Sequence, residues 1–301
     1  MPLVIDNLTH ETCSLPEAVE ALADLKFDPR DEGNRNEAGL WLRRLTNNRT
    51  FLAGVLIDQL AGRLAAASVS SASSEYGPQA IILSGLRGSV FLRANIWPAP
   101  QDLCFKTSGA ANFVYDVPHD HNFSFLTAGY VGPGYRSDYY EYDYENVVGY
   151  PGERAGLRFV ERSALHEGKL MLYRAHVDVH SQLPPEALSV SLNVMHVDPA
   201  QGWFDQYAFD PERNEVARVL SPNATEAFLR VAVASGTDEA LDYAEWVGEG
   251  HPSERLRLAS FEARAGLLDQ EGRDALWREG ERCGSRMVAE IAKKRRVALA
   301  S

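Results

Sequence analysis

The spacing of apolar residues predicts helices near both ends of the chain and β-strands between them. From residue 15 to about 70, apolar residues recur every three or four positions, as they do on one face of an amphipathic helix. Ser14, followed by Pro16 near the first turn and by Glu17 three residues on, is typical of a helix start. The serine-rich segment 68–79 interrupts this spacing, and we expect a loop there.

The middle of the chain has the pattern of an antiparallel β-structure. Between about 80 and 210, nine short runs rich in β-branched and aromatic residues are separated by glycine and proline, which predicts a barrel or sandwich. One run, residues 170–180, is expected to form a single regular strand because its valines favour extended backbone. After about 220 the helical spacing returns and predicts four helices. The predicted organisation is an N-terminal helical segment at 1–75, a β-barrel at 76–215 and a C-terminal helical segment at 216–301.

The composition is that of a folded globular protein with an acidic surface. Hydrophobic residues make up 45% and charged residues 24% of the 301 residues, and the formal net charge is −12. Because an acidic surface does not attract polyanions, we expect neither nucleic acid nor an anionic membrane as a partner. The basic run 293–296 is interpreted as a solvated helical turn rather than a nucleic-acid patch.

Cysteine usage and the lack of long apolar stretches predict a soluble, cytoplasmic protein. Cys13, Cys104 and Cys283 are odd in number and form no C-x-x-C pair, which argues against a disulfide framework and against a cysteine zinc site. No apolar stretch approaches the roughly 18 residues of a membrane span, and the first residues do not resemble a signal peptide.

The histidines carry the candidate chemistry. Five of the eight histidines lie between residues 119 and 180. His119 and His121 are two residues apart, so in a strand they project to the same face. Two neutral imidazoles suit Fe, Zn, Ni or Cu. We therefore interpret this pair as part of a metal site, with a purely structural pair as the alternative.

A third ligand is expected from the run 174–180. His176 and His180 share one face of the expected strand, but a regular strand separates them by roughly 13 Å, so only one of them can bind the same ion. His176, deeper in the strand, is the predicted ligand. His180 is expected near the rim of the barrel, close to Pro184 and Pro185, where it would act as an acid or base; it stays the alternative ligand.

Alternating strands supply candidate substrate-binding residues. In the run 188–194, Ser189, Ser191 and Asn193 share the face opposite to the apolar residues. Small polar side chains suit a cavity that binds a polar molecule, whereas exposure of this face to solvent is the alternative. Two further residues also have two alternatives each. Arg93 faces either a cavity or solvent. Glu141, in a tyrosine-rich acidic run, is either a fourth metal ligand or exposed to solvent.

An H-x-H pair followed by a later histidine on a β-strand resembles the cupin superfamily. Many cupins carry a glutamate four or five residues after the second histidine, and here those positions are Phe125 and Leu126. This absence resembles the three-histidine branch, whose best-known members are the thiol dioxygenases such as cysteine dioxygenase. Arg93 falls where those enzymes carry an arginine for the substrate carboxylate. The family's S-L-H-L-Y strand reads S-L-N-V-M here, so its Ser-His-Tyr relay and cysteine as a substrate are not expected.

The resemblance implies a mainly β fold, a cupin-type antiparallel β-barrel of the jelly-roll kind, with helical extensions at both ends. It implies a mononuclear Fe(II) site that uses O2 to oxidise a small organic molecule such as an amino acid or derivative; Zn, Ni, Mn and Cu are alternative metals. Together with the strand patterns above, this gives a predicted site of His119, His121 and His176 on the metal, His180 as a catalytic residue, and Arg93, Ser191 and Asn193 on the substrate. A non-catalytic metal-binding sensor module and a metal-dependent isomerase or lyase are the alternative functions. A homodimer is one assembly state that the sequence leaves open.

Overall fold

The computed structural model of the protein describes residues 1–61, 79–221 and 224–300. The end of the predicted N-terminal helical segment and nearly all of the expected loop at 68–79 lie outside these residues. Within the described ranges, no helix combines the length and the apolar composition that crossing a bilayer requires. The chain divides into two compact units, Met1–Tyr144 with Ala155–Glu215 and Glu145–Arg154 with Val216–Ser301.

Three N-terminal helices precede the strands of the first unit. They are α1 (Leu15–Asp24), α2 (Glu32–Asn47) and α3 (Phe51–Leu60). The Ser14 hydroxyl accepts a hydrogen bond from the Glu17 backbone N–H, and the Glu17 carboxylate accepts one from the Ser14 backbone N–H at 2.7 Å. This reciprocal capping satisfies two N–H groups that a helix start leaves without partners, and it confirms the helix start predicted at Ser14.

Nine strands of the first unit form two antiparallel sheets. The strands within the described residues are β1 (Leu3–Val4), β2 (Ala80–Ile82), β3 (Val90–Trp97), β4 (Phe125–Val131), β5 (Arg136–Glu141), β6 (Arg158–Ala164), β7 (Leu170–Tyr173), β8 (Asp178–Leu183), β9 (Ser189–His196), β10 (Tyr207–Asp210) and β11 (Glu215–Val219). One sheet has six strands in the order β1-β7-β4-β9-β3-β2, and another has three in the order β6-β5-β8. The predicted antiparallel β-region between helical segments is confirmed, but the described strands form separate sheets and not one closed barrel.

The six-stranded sheet buries a different set of residues on each face. One face packs against the N-terminal helices in an apolar core that includes Leu22, Leu42, Leu92, Leu126 and Val194. The other face packs against the three-stranded sheet through an aromatic cluster that includes Trp97, Phe125, Tyr139, Met171 and Tyr173. Because side chains alternate along a strand, each central strand contributes to both layers. The space between the two sheets is therefore lined by residues one position away from those in the helical core.

The expected single strand at 170–180 is wrong, because β7 ends at Tyr173 and β8 begins at Asp178 in the other sheet. The carboxylate of Asp178 accepts hydrogen bonds from the backbone N–H of Arg174 at 2.7 Å and from its guanidinium, which closes a turn. Within this turn His176 has a φ of 62°, in the left-handed region. A side-chain hydrogen bond to the local backbone thus outweighs the strand preference of the valines.

The second unit is mostly helical. It contains α5 (Ala224–Ala234), α6 (Asp238–Gly250), α7 (Glu254–Ala265), α8 (Gln270–Gly280) and α9 (Arg286–Ala300); a further short helix, α4 (Leu103–Ser108), belongs to the first unit. The described part of the chain after residue 220 has five helices where four were predicted, because Gly284 adopts a φ of 84° and separates α8 from α9. The basic run lies inside α9, where Arg295 pairs with Glu262.

Candidate metal centre

The first two histidines lie in an extended segment that runs beside β8. His119 and His180 face each other in an antiparallel bridge, with each backbone N–H donating to the other residue's carbonyl at 3.0 and 2.9 Å. On its other side, the segment bridges to Ala208. Residues that face each other in such a bridge project to the same side, and so does a residue two positions further along. The backbone pairing therefore brings His119, His121 and His180 to one side of the segment.

The three imidazoles form a compact, buried group. Their metal-binding nitrogen atoms all lie within 4.8 Å of one another, and the Nε2 atoms of His121 and His180 are 3.0 Å apart. Two nitrogens bound to adjacent positions of an octahedral ion, at about 2.05 Å each, are separated by about 2.9 Å. The separation of these two Nε2 atoms thus fits coordination of one shared ion. Among the residues described, no other group of three or more His, Cys, Asp or Glu side chains has this spacing.

The protonation of the rings also suits metal binding. The carbonyl of Val117 accepts a hydrogen bond from Nδ1 of His119 at 2.7 Å, which leaves the lone pair on Nε2 of that ring. Burial lowers the pKa of all three imidazoles; for His121 the neighbouring imidazoles and then Arg93 lower the pKa further. The three rings are therefore neutral at neutral pH, which is the form that binds a divalent metal.

Asp120, between the first two histidines, fixes the backbone that carries them. Its carboxylate is fully buried and accepts hydrogen bonds from the Tyr142 hydroxyl at 2.5 Å and from the Tyr207 backbone N–H at 2.6 Å. Burial outweighs these hydrogen bonds and raises the pKa of Asp120 to about 7. Asp120 points away from the imidazoles, as strand alternation requires, and its two partners hold the segment in register.

His176, the expected third ligand, lies outside the group. Its backbone N–H donates to the carbonyl of His121 at 2.9 Å, but its ring packs against Tyr144 and Phe204, with ring centroids 4.2 and 5.1 Å away. Burial lowers the pKa of His176 to about 4. The structure brings His180 to the pair instead, because the turn after Tyr173 directs the two later histidines to different places.

The candidate substrate-binding residues line the space between the sheets. Arg93, Asn193 and Thr127 face one another across three neighbouring strands, and all three are buried. The hydroxyl of Thr127 donates to Oδ1 of Asn193 at 2.6 Å, and the indole N–H of Trp97 donates to the hydroxyl of Ser191 at 3.0 Å. Exposure of this polar face to solvent, the alternative from the sequence, is therefore wrong.

Glu141, considered as a carboxylate ligand, is engaged elsewhere. Its carboxylate accepts hydrogen bonds from the amino group of Met1 at 2.7 Å and from Arg174 at 2.8 Å. The amino group and then Arg174 lower the pKa of Glu141 to about 2. Glu141 does not belong to the group formed by the three imidazoles.

Two tyrosines beside the imidazoles were not among the predicted site residues. The hydroxyls of Tyr139 and Tyr173 are 3.1 Å apart, and the Tyr173 ring centroid lies 4.7 Å from that of His180. Burial raises the pKa of Tyr139 to about 12 and raises that of Tyr173 well above its usual range, so both phenols are neutral. The alternation within the tyrosine-rich run contains the missed signal, since Tyr139 shares a face with the buried Ser137.

Comparison with known proteins assigns no family. No family model matches the chain, and no curated protein matches it. Among solved structures, the chain matches Peruvianin-I, a cysteine peptidase from Thevetia peruviana latex, at 10% identity over 42% of this chain and 66% of that one, with a TM-score of 0.25. It matches the DMSP lyase DddQ from Ruegeria pomeroyi DSS-3 at 12% identity over 66% and 78%, with a TM-score of 0.25. It matches Fe(II)-HppE with an alternative substrate at 10% identity over 61% and 99%, with a TM-score of 0.24. At these scores the similarities carry no inference about activity.

Proposed function

We propose that this chain is a cupin-type metalloenzyme that holds one Fe(II) ion on His119, His121 and His180 and oxidises a small organic substrate with O2. The observation that carries the proposal is the group of three buried imidazoles whose nitrogens lie within 4.8 Å of one another, at the interior between two antiparallel sheets. An H-x-H pair facing a third histidine on a later strand is the arrangement on which the resemblance to cupins rests.

The donor set supports a redox-active divalent metal. Three neutral imidazoles with no thiolate suit iron, and they also suit Zn, Ni or Cu; Mn, which favours oxygen ligands, is a further alternative. Bound there, Fe(II) would supply the one-electron chemistry that O2 needs in order to react with an organic molecule. The protein contributes a buried site whose ligands are held by paired backbone, which keeps bulk water away from the reacting groups.

The buried polar side chains of Arg93, Ser191 and Asn193, between the sheets, form the proposed substrate site. Arg93 is 8% exposed, and its guanidinium offers a planar fork of donors that binds a carboxylate through two hydrogen bonds. The Oδ1 atom of Asn193 already accepts from Thr127, so its amide N–H groups are the part of that side chain that would donate to the substrate. Ser191, whose oxygen accepts from Trp97, keeps its own hydroxyl proton for donation. These residues would therefore orient a small molecule that carries a carboxylate.

One observation favours a second candidate, a metal-dependent lyase or isomerase. The neutral hydroxyls of Tyr139 and Tyr173 are 3.1 Å apart, and the Tyr173 ring packs against the ring of His180 in the same interior. Phenols held in this way can give or receive a proton at a substrate that the metal orients, and such a reaction consumes no O2. The two candidates therefore differ in their need for oxygen.

The test is turnover with and without oxygen. Protein stripped with a chelator and reloaded with Fe(II) should contain one metal per chain and should consume O2 with a member of a panel of amino acids and thiols. His119→Ala should lose both metal and uptake, and His176→Ala, outside the group, is the matched control that should keep both. Product formed under anaerobic conditions would favour the lyase or isomerase. Wild-type protein that retains no metal after loading would contradict both candidates.

A further inference from the structure

We infer that Gln182 is a fourth donor to the metal, through its side-chain carbonyl oxygen; this inference rests on the proposed function. Gln182 follows His180 by two residues on β8, so both side chains project to the same face. The residue is 4% exposed. Its Nε2 atom lies 3.3 Å from Nε2 of His180, the same nitrogen that faces His121 at 3.0 Å. The amide group of Gln182 is therefore in contact with the place where the imidazole nitrogens converge.

The nitrogen and the oxygen of this amide differ in their hydrogen-bond partners. The nitrogen donates to the lone pair of His180, whereas Oε1 is buried and has no hydrogen-bond partner within the part of the chain that the structure describes. A buried carbonyl oxygen without a partner is unusual in folded proteins. When the lone pair of His180 is used by a metal, the amide nitrogen loses its acceptor as well. The arrangement thus satisfies neither end of the amide once an ion is bound.

Rotation of the amide by half a turn resolves the first of these problems, because the oxygen without a partner then faces the metal. The oxygen and nitrogen of a carboxamide have nearly the same size, so exchanging their positions requires no movement of neighbouring atoms. Oε1 then takes the place of Nε2, at a distance from Nε2 of His180 that is close to the separation of about 2.9 Å between adjacent octahedral donors. Amide oxygens are accepted ligands for hard divalent ions. The backbone is already fixed, since the Gln182 carbonyl accepts from the Asp116 N–H at 2.9 Å.

A donor on β8 also supplies a ligand that β4 does not provide. Phe125 stands at a position where many cupins carry a glutamate, and its ring lies 5.1 Å from the ring of His121 and stacks on Tyr173. That position therefore offers an aromatic face and no oxygen. Gln182 supplies an oxygen from the opposite sheet, and the proposed ligand set becomes three imidazoles and one carboxamide.

Binding of Co(II) alone to chelator-stripped protein tests this inference. Gln182→Leu should weaken the affinity for Co(II), measured by competition with a coloured chelator, by about 10- to 100-fold. It should also change the visible d–d absorption of the Co(II) protein, because the loss of a ligand changes the coordination geometry. Gln182→Glu, which keeps the shape and offers a stronger oxygen donor, should bind Co(II) at least as tightly as wild type. Gln79→Leu is the matched control, since Gln79, immediately before β2, is another buried glutamine, and both measurements should stay unchanged.

The outcomes separate this inference from the proposed function. Wild-type protein that binds no Co(II) would overturn the metal site and Gln182 together. Wild-type binding with no effect of Gln182→Leu on affinity or absorption would overturn the role of Gln182 alone. A weaker affinity with unchanged absorption would also overturn it, because Gln182 would then act only by hydrogen bonding. Should Gln182→Leu fail to fold in a thermal melt, Gln182→Glu decides, and a tenfold loss of Co(II) affinity in that variant would contradict a ligand role.

Discussion

Metal loading should raise the melting temperature of the wild type and of His176→Ala by several degrees, but that of His180→Ala by only about 1–2 °C. The Nε2 atom of His180 lies 3.0 Å from that of His121, whereas the His176 ring packs between Tyr144 and Phe204. A metal that binds only the folded state stabilises that state, and removing one of three imidazoles weakens its binding. Substitution of these two histidines, four residues apart in the chain, should therefore change the metal-induced shift to very different extents.

The size of the effect follows from mass action. With free metal at about 100 times its dissociation constant, the folded wild type gains about 2.7 kcal/mol. In a domain of roughly 150–250 residues, 1 kcal/mol shifts the melting temperature by about 2–4 °C, so the wild type should melt about 5–11 °C higher with metal. If loss of His180 raises the dissociation constant about 100-fold, the gain at the same metal concentration falls to about 0.4 kcal/mol, a shift of about 1–2 °C.

The assay is differential scanning calorimetry of chelator-stripped protein, with and without added metal. Both variants remove a side chain that packs in the protein, so both are expected to melt below wild type without metal. The quantity to compare is therefore the metal-induced shift within each variant. A shift of several degrees in His180→Ala, or its disappearance in His176→Ala, would refute the assignment of the third ligand.

Two further substitutions test the surroundings of the site. Arg93→Gln should keep the metal-induced shift but raise KM for a carboxylate substrate by about 10- to 100-fold, since a charge-assisted contact worth about 1.5–3 kcal/mol is lost; an unchanged KM from initial rates would contradict this role. Tyr142→Phe should lower the free energy of unfolding in urea by about 1–3 kcal/mol because its hydroxyl donates to the buried carboxylate of Asp120 at 2.5 Å. The half-buried Tyr140 supplies the control, and Tyr140→Phe should change stability by less than about 0.5 kcal/mol, so equal losses in the two variants would disprove the anchoring role of Tyr142.

Alternation along single strands was the most informative property of the sequence. It groups Arg93 with Phe91 on β3 and Ser191 with Asn193 on β9, and these side chains share one face of the sheet in the structure. Which face is buried depends on the partner layer, and the sequence of one strand does not contain that information. Here both faces are covered, one by helices and one by the second sheet, so the polar residues are buried as well.

The third histidine could not be chosen because the choice depends on a turn. In a regular strand, His176 and His180 would share a face and the deeper residue would be preferred. The decisive interaction is between Asp178 and Arg174, four residues apart, which closes the chain after Tyr173 and sends β8 into the other sheet. An Asp and an Arg at this spacing occur in many contexts. A prediction from the local sequence therefore follows the strand propensity of the valines.

The central strands contact the N-terminal helices with one face and the candidate site with the other. Leu92 and Leu126 pack in the core with those helices, while Arg93 and Thr127, one residue further along, face the interior between the sheets. A slip of one residue in either strand would exchange these faces. In β3 it would place the guanidinium of Arg93 in the apolar core, and the free-energy cost of burying that charge without a partner is large. The apolar contacts with the helices therefore specify the register of the strands. Through that register, they determine which side chains of β3, β4 and β9 face the proposed metal and its substrate.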